Sequence, residues 1–498
     1  MNTTTMHTNK EKRIVQPYRA WDSHCLIDDI DQKSDKEIME FFEGVNTASA
    51  QYNLGVCYES GIGVEQSYET AFAWYEKAAD QGLELSKETM ATFYEKGKGV
   101  EQSYEKAFKL YKEIAKQDNA GAKIKLGEYY EEEKGVTQSL PKARKCYEEA
   151  FAIYEKKADK KESEAQHSLG LCYLKGRGTK KSVSEAFRCF TLAAKQGYLI
   201  AQQSCGWCYE NGVGVDKSYE EAVKCYKEAA DQGNAEAQHS LGWCYENGEG
   251  VEKSDEDAFK WFKKAADQGN AKAQHALGWC YSKGQYVEQS DDMAFKWFKK
   301  AADQGDAAAQ TSLGRWYYEG DGIVEGQSYE NAVKWYKKAA KQRYAKAQHA
   351  LGWCYENGEG VEEQSFDNAF KWYEKAAKQG NAKAQTALGW YYAKGKGVEE
   401  PSYEEEVKWF EKAADQGNAE AQHALAWCYA NGKGVEEQSF GEAFKLYEKA
   451  ADQGNAKAQY ALAWCYYKGE GAAQSFDDAF IWFEKADDQE NAKAQHTL

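Results

Sequence analysis

The chain has 498 residues, with 81 acidic and 64 basic side chains, a formal net charge of −17 and only three prolines. The acidic balance argues against a nucleic-acid backbone or an anionic membrane as the main ligand, since both need a net basic face. The N-terminus MNTTTMHTNKEKRIVQPYRAWDSHC holds no apolar run, so neither a signal peptide nor an anchor is read there. No later stretch approaches transmembrane length.

In chain order, residues 1–33 read as a flexible polar N-terminal arm. Residues 34–45 place Ile38, Phe41 and Phe42 at core spacing, the pattern of a short N-terminal capping helix. From residue 46 the motif Ala-Gln-His-Ala-Leu-Gly-Trp-Cys-Tyr, or a close variant, recurs to residue 498. Its leucine position falls at Leu54, Met90, Leu126, Leu169, Cys205, Leu241, Leu277, Leu313, Leu351, Leu388, Leu425, Leu462 and Leu498, at intervals of 36–38 residues with one of 43. A period of that length predicts an all-α solenoid of about twelve helix-turn-helix repeats, an architecture that works by binding.

Residues 270–305 serve as the type repeat. A first helix starts after Asn270 and ends near Gly284, with Ala273, Leu277, Cys280 and Tyr281 on one face as the core stripe. The following turn is usually Gly-x-Gly-Val, as at Gly212 to Val215, where glycine tolerates positive φ. A serine N-cap then opens the second helix, and Ser218 with Glu221 or Ser439 with Glu442 reads as a capping box. Ala294, Trp297, Phe298, Ala301 and Ala302 form the second core stripe, which Gly305 ends.

The 43-residue interval after Leu126 predicts a second helix longer by about two turns. At the C-terminus the chain stops within a first helix, so either it is a fragment or that helix closes the stack imperfectly. Of thirteen cysteines, eight share one motif position, and equivalent positions in stacked hairpins lie roughly 10 Å or more apart, beyond disulfide reach. They read as core thiols in a reducing, cytoplasmic compartment.

The combination Ala-x-x-x-Leu-Gly-x-x-Tyr, Gly-x-Gly-Val and Ala-Phe-x-Trp-Tyr-x-Lys-Ala-Ala-x-Gln-Gly resembles the Sel-1-like repeat family, a relative of the tetratricopeptide repeats, over residues 46–498. The resemblance implies a right-handed α-solenoid superhelix acting as an adaptor or scaffold for protein complexes. Family members include bacterial proteins that meet host factors and eukaryotic adaptors in degradation, signalling and cell-wall synthesis. Some relatives are secreted and pair cysteines within a repeat, and this chain lacks that pairing.

A second stripe runs along the first helices. Two residues after the marker sit Trp207, Trp243, Trp279, Trp353, Trp390, Trp427 and Trp464, with Arg315 in the eighth repeat. Four residues earlier lie His239, His275, His349 and His423. On the helical wheel this face points away from the leucine. The early repeats carry Val56, Thr92, Glu128 and Leu171 at the tryptophan position, which argues against deep burial. One reading is a concave ladder that grips an extended peptide or helix. The other is that each tryptophan lies across a neighbouring helix and completes the packing.

No metal site is expected, because each repeat offers one histidine and zinc needs three or four ligands within about 2.3 Å. No cofactor and no catalytic constellation are read. The expected protein is a non-enzymatic scaffold for a protein or peptide partner, a basic one given the net charge, with no nucleic acid and no membrane insertion. The oligomeric state is open. A hydrolase of the kind proposed for cysteine-rich relatives and a purely architectural spacer are the alternatives.

Overall fold

Apolar residues three and four apart need a partner surface, and in this chain each helix finds it on its sequence neighbours. The computed structural model describes residues 42–320 and 326–487. Among them lie twenty-four α-helices that alternate first and second helices of successive hairpins, an α-solenoid of about twelve repeats. The chain divides after Ser254 into two compact units, a boundary between the two helices of the sixth repeat. The first unit carries five repeats and the helix Ala235–Asn247; the second begins with the helix Asp255–Asp267.

In the seventh repeat, Asn270 caps the helix Ala271–Lys283, its Oδ1 accepting the Ala273 amide at 2.9 Å. Ala273, Leu277 and Cys280 are buried, as are Ala294, Phe298, Ala301 and Ala302 of the partner helix Asp291–Asp303. Tyr281 and Trp297 are only half-buried, so the core stripe is narrower than the pattern implied. The motif glycine is a packing residue. A Cβ on Gly352 would stand 2.7 Å from Cδ1 of Tyr373, so the missing side chain lets the two helices of a hairpin close together.

The serine caps form, but the capping boxes do not. Ser218 Oγ accepts the Glu221 amide at 3.3 Å, while the Ser218 N–H already donates to the Tyr209 carbonyl at 3.0 Å. Glu221 therefore turns outward to Lys224, and Glu442 likewise pairs with Lys445 while the Ser439 N–H donates to Tyr429. The 43-residue interval holds a 20-residue second helix, Leu140–Asp159, where most others have thirteen. Phe42 packs on Leu54 and Cys57 of the first repeat. The rest of the expected capping helix, the arm at 1–33 and the closing helix around Leu498 lie outside the described residues.

Two polar devices tie the helices together, one between hairpins and one within them. The motif glutamine is buried: Gln274 Nε2 donates to the Ala266 carbonyl of the preceding repeat at 3.2 Å, and its Oε1 accepts Gln304 Nε2 at 2.7 Å. The same pair recurs as Gln348 with Gln379 and Gln422 with Gln453. Buried tyrosines donate to glutamates of the first helix, Tyr75 to Glu59 at 2.7 Å and Tyr373 to Glu356 at 2.8 Å. One buried acid breaks the pattern. Glu406 is 1 % exposed where other repeats have alanine, such as Ala369 and Ala443. Its Oε1 accepts Cys428 Sγ at 3.7 Å, Oε2 has no partner among the described residues, and burial pushes its pKa up.

Candidate binding face

The tryptophans two residues past the marker leave the core stripe by roughly half a helical turn, and the structure places them at the surface. Trp207, Trp353 and Trp427 are 38, 48 and 39 % exposed, and Trp243, Trp279, Trp390 and Trp464 are half-buried. Trp207, His239 and Trp243 belong to the first unit and the other predicted positions to the second. Arg315 is exposed and forms an ion pair with Glu319 at 2.7 Å.

The histidines do not share that exposure. His275, His349 and His423 stack at 5.5, 5.5 and 5.8 Å on Phe298, Tyr373 and Tyr447 of their own second helices. The reason is angular: the histidine lies closer on the wheel than the tryptophan to the motif glycine, where the second helix approaches. Burial pushes the His349 and His423 pKa values down to about 4, with Lys383 and Lys457 acting in the same direction. These imidazoles are the inner wall of the face, and the tryptophans are its outer edge. His239 is half-buried as well.

His167 was missed in the sequence reading because its i+4 neighbour is Leu171. It occupies the same motif position, is 8 % exposed, bonds Ser204 Oγ at 3.0 Å and has its pKa lowered by burial to about 4. The early repeats hold carboxylates at ladder positions, each engaged. Asn119 Nδ2 donates to Glu84 and Glu88 at 2.7 and 2.8 Å. Glu128 is bound by Arg177 at 2.7 Å and Lys125 at 3.2 Å; burial acts to raise its pKa, but the two cations outweigh it and hold it low.

In the second unit the face opens into two adjoining recesses. One, of about 580 Å³, is lined by Arg315, Lys346, His349, Asn381, Lys383 and Asn418. The other, of about 620 Å³, shares His349, Lys383 and Asn418 and adds Trp353, Trp390 and Lys394. Trp353 Nε1 donates to Tyr318 OH of the preceding repeat at 2.9 Å, which holds an exposed indole in place. Lys346, Lys383 and Lys457 occupy one motif position, three residues before the histidine position, so their spacing was readable in the sequence.

Among the described residues, no group of three or more His, Cys, Asp and Glu side chains is placed to hold a metal ion, and no helix is long and apolar enough to cross a membrane. The twelve described cysteines form no disulfide, and burial pushes Cys244, Cys354 and Cys428 up to about 12.

Stacked helical hairpins bearing a partly exposed aromatic face define an α-solenoid repeat protein. The Sel1 repeat model matches residues 48–83, 90–119, 120–152, 163–198, 199–234, 235–270, 271–306, 307–344, 345–381, 382–418, 419–455 and 456–490, and the chain belongs to the Sel1 repeat family. A search of curated proteins returned no significant match. Among solved structures, the chain is similar to c5321, a protective antigen of uropathogenic Escherichia coli strains with an SLR fold. The two are 30% identical over 86% of this chain and 91% of that one, with a TM-score of 0.50. It is also similar to a Sel1 repeat protein from Oxalobacter formigenes, 32% identical over 50% of this chain and 96% of that one, with a TM-score of 0.44.

Proposed function

We propose that this protein is a non-enzymatic scaffold or adaptor that binds a protein or peptide partner on the tryptophan face of its first helices, in a reducing compartment such as the cytoplasm. The observation that carries the reading is the exposure of Trp353, 48 %, beside recesses large enough for several side chains. Large aromatics held rigidly at a surface are the usual anchors of interfaces, because they bury area at low entropic cost. The Cys354 and Cys428 thiols support the non-enzymatic part: with pKa values near 12 they stay protonated at neutral pH, and a thiol is a poor nucleophile.

Affinity capture with the wild-type chain and with a Trp243/Trp279/Trp353→Ala variant tests the reading. Partner recovery should fall sharply for the variant while its helical circular-dichroism signal is kept. Equal recovery from both chains overturns it.

A further inference from the structure

The net charge of the chain is acidic, yet the recesses of the second unit are not: the one lined by Trp353 and Trp390 sets Lys383, Lys394 and Lys457 against Glu356 and Glu420, and the adjoining one has no acidic side chain on its lining. Lys346 and Lys383 are exposed on its wall, and neither makes an ion pair among the described residues. Two first helices, Ala382–Lys394 and Ala419–Asn431, begin there, and their N-terminal ends add positive potential. Their caps use only the oxygen: Asn381 Oδ1 accepts the Ala384 amide, and Asn418 Oδ1 accepts the Ala421 amide and the Thr386 hydroxyl. The Nδ2 groups of both donate to nothing among the described residues.

The chain contains its own precedent for what such an amide takes. In the third repeat the equivalent cap, Asn119, donates Nδ2 to two carboxylates on the first helix of the preceding repeat, Glu84 and Glu88. The positions of those two glutamates hold Ala345 and His349 in the ninth repeat, and Ala382 and Thr386 in the tenth. The donors persist and the internal acceptors are gone.

We propose that these two adjoining recesses together bind an acidic, extended peptide segment of a partner through its carboxylates. The amides of Asn381 and Asn418 and the ammonium groups of Lys346 and Lys383 take the acidic side chains, and Trp353 and Trp390 hold the apolar ones. Arg315, already paired with Glu319, adds less. The assignment rests on the tryptophan face being the binding face, and it reverses the partner charge expected from whole-chain composition. Charge at the contact, not net charge, sets which partner is attracted.

Panning a displayed library of random decapeptides against the full chain tests the assignment, with Lys346→Glu/Lys383→Glu and Trp353→Ala/Trp390→Ala as folded comparison chains. Selected peptides should be rich in Asp and Glu beside an apolar residue. They should bind at least about tenfold more weakly to the lysine variant, and weaken as salt rises. Neutral or basic peptides that depend on the tryptophans but not on the lysines would overturn the anionic assignment and leave the face intact. Peptides indifferent to both variants, or no selected peptide at all, would overturn both readings. Displacement of the peptides by a tighter-binding single-stranded oligonucleotide would also overturn the assignment, in favour of a nucleic-acid occupant.

Discussion

The indole N–H of Trp279 donates to Nε2 of His275 at 3.1 Å, and the same nitrogen meets Ser312 Oγ of the next repeat at 2.9 Å. An indole only donates, so Nε2 carries a lone pair, the serine hydroxyl also donates, and the imidazole is neutral with its proton on Nδ1. Burial favours the same state: it lowers the His275 pKa, Lys346 acts with it, and Asp306 opposes both. The outer edge of the face and its inner wall are thus one bonded unit in this repeat.

That neutrality gives a pH dependence. The His349 pKa is about 4 in the folded chain, below the unfolded value near 6.5, so the unfolded state binds more protons between the two. The stability it contributes is complete above about pH 6.5 and is lost as pH falls toward about 4. Denaturation at a series of pH values should show His349→Gln reducing the loss between pH 7 and pH 4 by roughly 2 kcal/mol, after discounting for partial exposure. An unchanged profile would mean the imidazole is hydrated in the folded state.

Gly352→Ala should destabilise the ninth repeat by about 1–3 kcal/mol, although alanine is the better helix former. The added carbon meets the Tyr373 ring at 2.7 Å, and that ring cannot retreat freely because its hydroxyl is held by Glu356 at 2.8 Å. Urea denaturation of the two chains measures the difference. The eleventh repeat carries Ala426 at this position, so Ala426→Gly should cost only about 1 kcal/mol through helix propensity.

Glu406→Ala should stabilise the chain by about 1–3 kcal/mol at neutral pH, because it removes a buried carboxylate oxygen without a partner and restores the residue other repeats use. The folded pKa is raised, so the ionised form is the penalised one. The gain should therefore be small below about pH 4, grow as pH rises, and level off once the folded pKa is passed. A thermal melt at acid and neutral pH reads both ends.

Gln348→Leu keeps the volume roughly and removes two hydrogen bonds, leaving Gln379 Nε2 to the Lys375 carbonyl and the Ala340 carbonyl to the Arg343 N–H. Loss of about 1–3 kcal/mol is expected, with faster hydrogen exchange in the helices Tyr329–Lys341 and Phe366–Lys378. Slowed exchange at both helices would contradict the assignment of this glutamine as a joint.

Repeat number, helix pairing and the core residues Ala273, Leu277 and Cys280 were legible in the sequence, since a strict period of burial leaves a strict period of residue type. The capping boxes were misread because the serine amide is claimed by the Tyr209 or Tyr429 carbonyl, a contact between chain segments with no sequence signature. Gln274 was not singled out, because its two partners are a carbonyl of the preceding repeat and a glutamine 30 residues on. Glu128 is half-buried and Val56 at the same position is buried, and the pairing of Glu128 with Arg177, 49 residues away in sequence, could not be read from either residue alone. The lysines of the recess occupy a periodic position of the first helices and were not singled out.

The glutamine joints bear on how such a chain changes length. From the sixth repeat to the twelfth, the motif glutamine reaches back to the equivalent carbonyl of the repeat before it. Deleting or duplicating a whole period would leave no stranded amide, whereas a cut at any other length would. The array can therefore be edited by complete modules at small structural cost, while the residues on its tryptophan face diverge from copy to copy.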